Sequence, residues 1–215
     1  SRGRRGVTKL DGKIYGLFPS VLMRVRVAER ESDFNAKLRL ALEDIRKTTP
    51  NGLPRHSAGA AYITRESDNR LHLRAELADI VELAIAEAKA YAEKTMLDLS
   101  VGNLQINDCW LTVLEKGEAV EMHTNPSSIF TATYFINTSR DGAKFRFFSS
   151  VGTNWPFTPA TKSNPLNKRI EVIRVFPGEF VVFPSNLIND VHGHDDDTGH
   201  VSLTFTFGIA PYDRV

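Results

Sequence analysis

Cysteine is almost absent from this chain: Cys109 is the single one in 215 residues, so no disulfide can close within it. Long hydrophobic runs are missing too, and none approaches the roughly 20 apolar residues that a membrane-spanning helix needs. Nor is there an excess of charge of one sign. Lys and Arg number 27 against 26 Asp and Glu, a formal net charge of +1, which leaves no bulk field to draw in nucleic acid or an anionic membrane. With no signal-peptide apolar segment near the start, these absences point to a reduced, cytoplasmic protein that binds neither nucleic acid nor membrane. The opening Ser1-Arg2-Gly3-Arg4-Arg5-Gly6 reads as part of a solvated basic tail over about residues 1–12.

What remains suits one globular domain spanning the chain. Val21-Leu22-Met23-Arg24-Val25-Arg26-Val27 alternates apolar and basic residues, as a half-buried strand does. Ser32 is placed to cap a helix running to about Lys47, with Phe34, Leu38, Ala41, Leu42 and Ile45 on one face and Pro50 ending it. A loop follows. Residues 73–94 again show a helical stripe, Leu77, Ile80, Val81, Ala84, Ile85, Ala88 and Tyr91, which is core. After it the period changes from helical to alternating. Strand-like runs cover 104–114, 129–136, 143–148, 170–176, 180–183 and 201–208. Helices first and short strands afterwards, with no alternation of the two, predict an antiparallel sandwich or barrel with helices packed on one side. The connection from Val151 to Asn167, carrying Trp155 and Phe157, has the length and aromatic content of a functional lid or a packed Ω-loop.

Chemistry is concentrated at Glu121-Met122-His123-Thr124-Asn125-Pro126. In an extended backbone, residues two apart face the same way, so His123 and Asn125 set an imidazole nitrogen and an amide oxygen on one side. The alternative is a structural turn, with Asn125 bonded to its own backbone and Pro126 fixing the bend. A second polar cluster, His192-Gly193-His194-Asp195-Asp196-Asp197, is the other source of ligands, although its three carboxylates read as a solvated run. His56 and His72 have no polar company and read as structural or surface residues.

The run from Trp110 to Gly117, the stretch Glu121–Pro126 with the strand to Ile136, Pro177-Gly178-Glu179-Phe180-Val181-Val182-Phe183-Pro184-Ser185, and Val201-Ser202-Leu203-Thr204-Phe205 resemble, in that order, the iron(II)- and 2-oxoglutarate-dependent oxygenases related to prolyl hydroxylases. The resemblance extends from about residue 15 to 210. It implies an α+β chain whose strands form a double-stranded β-helix, or jelly roll, with the N-terminal helices packed on one face. It also implies Fe(II) and 2-oxoglutarate as cofactors and a small-molecule or peptide substrate. That family holds iron with two histidines and a carboxylate, or with three histidines. Carried over, His123 matches the first ligand and Asn125 stands where the family has Asp or a second His. An ungapped match puts Asn189 at the distal histidine; a short insertion moves that role to His192, which is preferred, or to His194. His200 stands where an Arg binds the 2-oxoglutarate carboxylate, and Tyr134 and Lys144 match positions that contact the cosubstrate in relatives.

Overall fold

The computed structural model describes residues 20–53, 61–149, 161–162, 164, 167–192 and 197–211. The basic tail, Trp155 and Phe157 of the expected lid, His56 and His194 all lie outside these.

Helix α1, Asp33–Thr48, starts where the sequence pattern places it. The Ser32 hydroxyl accepts from the Asn35 backbone N–H at 3.2 Å, Asp33 sits in the first turn, and Arg46 and Lys47 in the last. Leu38, Leu42 and Ile45 are buried on its inner face. Helix α2, Ala78–Lys94, begins later than the apolar stripe suggests. Leu77 offers no side-chain cap, and the chain ahead of it forms two 3₁₀ turns, Leu71–Leu73 and Ala75–Leu77, with Arg74 extended between them. An uncapped helix start leaves its first N–H groups to such tighter turns. Neither helix is long and apolar enough to cross a membrane.

Among the described residues ten strands follow or precede these helices: β1 Met23–Arg26, β2 Tyr62–Ile63, β3 Gly102–Leu114, β4 Ala119–His123, β5 Phe130–Asn137, β6 Ala143–Phe148, β7 Ile170–Val175, β8 Glu179–Pro184, β9 Ile188–His192 and β10 His200–Pro211. They form a six-stranded sheet in the order β1-β8-β5-β10-β3-β2 and a four-stranded sheet in the order β4-β9-β6-β7, with neighbouring strands antiparallel. This is the jelly roll that the resemblance implies. Strands β2, β4 and β9 were not among the strand-like runs of the sequence.

Period two divides the large sheet into two faces. Leu111, Phe130, Tyr134, Phe180, Leu203 and Phe205 point toward the helices and join Leu38, Ile45, Leu77 and Ile80 in one core. Their alternates Phe135, Val181 and Phe183 point to the small sheet, where they meet Phe145, Phe147 and Val191 in a second core. Edge-to-face aromatic contacts tie that second core together, with ring centres 5.0 Å apart for Phe147–Phe183 and 5.5 Å for Phe145–Phe183. Gly178 makes the turn into β8 possible. Its φ is +87°, and a Cβ there would meet the Ala28 carbonyl oxygen at 1.8 Å. At the sheet margin Arg24 and Arg26 both bond the carboxylate of Glu179, at 2.7 and 3.2 Å.

Candidate functional site

At one end of the space between the sheets the aromatic packing gives way to a cavity of about 260 Å³. Its floor is the inner face of the large sheet, where Thr112, Thr131, Thr133, Ser202 and Thr204 replace the apolar residues found farther along. These hydroxyls are bonded among themselves and to neighbours: Thr131 to Ser185 at 2.8 Å and Thr133 to Thr204 at 3.2 Å. Trp110, Phe145, Phe183 and Val191 give the cavity apolar surface.

The opposite wall comes from β4 and β9. His123 and Asn189 are register partners across these strands, and side chains opposite one another in a pair share a face. The register shifts between Val120 and His123, so β4 gains a residue against β9. Without that bulge Met122, not His123, would oppose Asn189; re-aiming a side chain is what bulges beside sites do. The same distortion brings the Glu121 carbonyl to 2.9 Å from His123 Nδ1. A carbonyl only accepts, so Nδ1 carries the proton and neutral His123 presents the lone pair of Nε2. Burial moves the His123 pKa below the usual imidazole value, which favours that neutral form.

Asn125 opens the next turn, its carbonyl accepting from the Ser128 N–H at 3.2 Å with Pro126 between them. Its side chain does not return to its own backbone. The amide donates to Thr131 Oγ1 at 3.1 Å, and Oδ1 is buried with no partner among the described residues, on a side chain that lines the cavity and is 2% exposed. Asn189, also 2% exposed, spends its N–H groups on the carbonyls of Leu187 at 3.0 Å and His123 at 3.4 Å.

Of the residues expected from the sequence, the structure brings His123, Asn125 and Asn189, the distal position of the ungapped match, together on this cavity. It does not bring His192. In β9 Asn189 and Val191 face inward, so His192 shares the outer face with Lys144, its register partner on β6, and with the Arg146–Asp190 ion pair. Both His192 and Lys144 are exposed, and neither lines the cavity. Tyr134 is on the helix side of the large sheet, where its hydroxyl donates to Asn35 Oδ1 at 2.6 Å and burial pushes its pKa up. His200 is fully buried on the same inter-sheet face as Ser202 but outside the cavity lining, its Nε2 3.0 Å from Ser202 Oγ and its ring edge-on to Phe135. Thus one-residue parity, not distance along the chain, removes His192, Lys144 and Tyr134 from the site. Arg65 was missed by the sequence reading; it lines the cavity with its guanidinium 4.7 Å from the centre of the Trp110 ring. The signal for the floor was present as Thr131-x-Thr133 and Ser202-x-Thr204, hydroxyls alternating within otherwise apolar strands.

Residues 108–206 match the family model described as "Putative 2OG-Fe(II) oxygenase". Among solved structures, a Pseudomonas putida prolyl-4-hydroxylase is similar over 88% of this chain and 92% of its own, at 14% identity and a TM-score of 0.55. The matched segment is similar to that family, and the chain shares the fold of these enzymes. Two further structures show the same fold: a Trichoplax adhaerens prolyl hydroxylase in complex with a hypoxia inducible factor peptide fragment (11% identity, 86% and 82% coverage, TM-score 0.56), and HygX from Streptomyces hygroscopicus with nickel and 2-oxoglutarate bound (11% identity, 89% and 83% coverage, TM-score 0.56). No curated protein matches the sequence.

Among the described residues the cavity does not present a ligand set that fits a catalytic iron. Among the described residues no three His, Cys, Asp or Glu side chains group as metal ligands. His123 offers one imidazole, whereas Asn125 and Asn189 offer neutral carboxamides, weaker donors than carboxylate or imidazole. The cosubstrate positions do not restore the balance, because Lys144 faces outward and His200, bonded to Ser202, does not line the cavity.

Proposed function

We propose that this oxygenase-like chain is a binding module, taking a small polar molecule between its two sheets without iron- and 2-oxoglutarate-dependent oxidation. One observation carries the reading: the cavity wall where the family resemblance calls for metal ligands is made of His123, Asn125 and Asn189, with no carboxylate among them. A dication stripped of water is stabilised by charged or strongly basic ligands, and two carboxamides supply neither. What they supply is directional hydrogen bonding over a hydroxyl-lined floor, beside an apolar surface of Trp110, Phe145 and Phe183. A few fixed polar groups in a largely apolar concavity are the usual make-up of a small-molecule pocket. Fold likeness alone does not carry an activity across to this chain. A reducing, cytoplasmic setting suits its lone, buried Cys109.

A second reading, an oxygenase hydroxylating a small molecule or a peptide, is favoured by His123. Its Nδ1 is anchored on a backbone carbonyl and its Nε2 is left available, as in metal-binding histidines. Anaerobic titration with Fe(II) and 2-oxoglutarate separates the two. The pocket reading expects no stoichiometric metal and no charge-transfer absorption at neutral pH. Tight uptake of one metal with that absorption would restore the oxygenase.

A further inference from the structure

The hydrogen-bond inventory of the cavity wall is one-sided. His123 Nδ1 is committed to the Glu121 carbonyl, the Asn125 amide N–H to Thr131, and the Asn189 amide N–H groups to Leu187 and His123. Four of the five N–H donors on these three side chains are thereby turned into the protein, leaving one N–H of the Asn125 amide. All three residues line the cavity, and the acceptors they leave without a partner among the described residues are Nε2 of His123 and the carboxamide oxygens of Asn125 and Asn189. The Asn125 oxygen is buried and has no partner among the described residues. A buried acceptor left unpaired is costly, so the occupant of this cavity is a hydrogen-bond donor.

Three charged side chains narrow the class. Glu121, in the β4 bulge, lines the cavity at an exposed position and makes no ion pair among the described residues. Arg65 also lines it, held over the Trp110 ring, again with no hydrogen bond or ion pair among the described residues. Glu66, also exposed, lines it as well, so the cavity offers three neutral acceptors, two carboxylates that favour a cation, and one cation that favours an anion.

Resting on the reading of this cavity as a binding pocket, we infer that it takes a small primary ammonium compound, an amine or an α-amino acid, with the ammonium on His123, Asn125 and Asn189. An ammonium has three N–H donors for three acceptors, and unlike iron it requires no strongly basic ligands. Its carbon skeleton lies against the aromatic surface. In an amino acid the carboxylate meets Arg65.

Calorimetric titration of the full chain with n-butylamine, n-butanol, n-butyrate and L-norvaline tests this. Butylamine or norvaline is expected to bind at least tenfold more tightly than butanol or butyrate, the discrimination of one charge-assisted hydrogen bond. Asn125→Leu, which keeps volume and removes the acceptor, is expected to raise the Kd of the bound amine at least tenfold. His123→Gln, at a half-buried position, serves as the second variant should Asn125→Leu not fold. Norvaline binding more tightly than butylamine, with the advantage erased in Arg65→Gln, identifies the amino acid; equal binding that is insensitive to Arg65→Gln identifies the amine. Butanol or butyrate binding as well as the amine, no amine binding at 10 mM, or unaltered binding in the folded variants overturns the assignment. Mn(II) is titrated alongside: amine failure without metal uptake leaves a pocket for another ligand, whereas stoichiometric Mn(II) that displaces amine overturns both the ammonium and the non-metal reading.

Discussion

The six-stranded sheet has packing on both faces, helices on one and the small sheet on the other, whereas the four-stranded sheet turns Lys144 and His192 to solvent beside the Arg146–Asp190 pair. In the large sheet, adjacent residues belong to two different interiors. Tyr134 packs under the helices and Thr133 lines the cavity. In the small sheet, adjacent residues separate interior from water: Phe145 packs in the core between the sheets, while Lys144 is exposed. The difference teaches that in this fold chemical attractiveness along the chain is a poor guide to the site. The conspicuous histidines and charges of β6 and β9 are the solvated face, and the site is built from neutral amides and hydroxyls on the other parity.

The comparison is most severely tested where the two sheets meet. Phe145→Ala empties a position that touches Phe135, Phe147 and Phe183, and is expected to cost about 3–5 kcal/mol in chemical denaturation. A loss below about 1 kcal/mol would show that the inter-sheet layer is not a close-packed core.

Tyr134→Phe sharpens the contrast between the faces of the large sheet. It leaves Asn35 Oδ1 without its donor and is expected to cost about 1–3 kcal/mol. Ligand binding, in contrast, stays as in the parent chain. A change in binding without a change in stability would put Tyr134 back in the site.

Acidification reads the packed interior from another side. Burial depresses the pKa of His72, whose Nδ1 is buried with no partner among the described residues. The unfolded chain therefore takes up the proton first. The stability contributed by neutral His72 is fully present above the unfolded value of about 6.5 and is lost as pH falls from there toward the folded pKa. A urea midpoint followed from pH 7.5 to 5.5 is expected to decline, and to decline less in His72→Gln; an equal decline in both would assign the effect elsewhere.

The smallest effect is expected on the outer face of the small sheet. His192→Ala changes stability by no more than about 0.5 kcal/mol and leaves binding unaltered. A marked loss of ligand or metal binding in this variant would break the parity argument at its centre.

The helices and the long strands were legible because their patterns are long: the inner face of α1 and the alternation through β3, β5 and β10 each repeat several times. Strands β4 and β9 were not, being short and polar, and β4 carries a bulge that breaks its period. Half of the site lies on these two strands. His123 and Asn125 were legible as a pair, but the choice between Asn189 and His192 depended on the register of β9 against β6, which no local pattern expresses. Arg65 was illegible for a different reason, since nothing near it in sequence announces the Trp110 ring it rests on.

The order of the strands bears on how the chain is made. β10 is the last described strand to leave the ribosome, yet it lies between β3 and β5 and hydrogen-bonds to both. Until it is synthesised, β3 and β5 each carry an open edge along much of their length, and such edges pair readily with other chains. Gly102 must wait for Pro211 before their ladder is complete. Pairing across so much intervening chain is slow, and the nascent protein passes through its most aggregation-prone period just before synthesis of the large sheet ends. Slower translation or a lower temperature after residue 200 would therefore prolong that vulnerable period, whereas prompt release of β10 closes both edges in a single step.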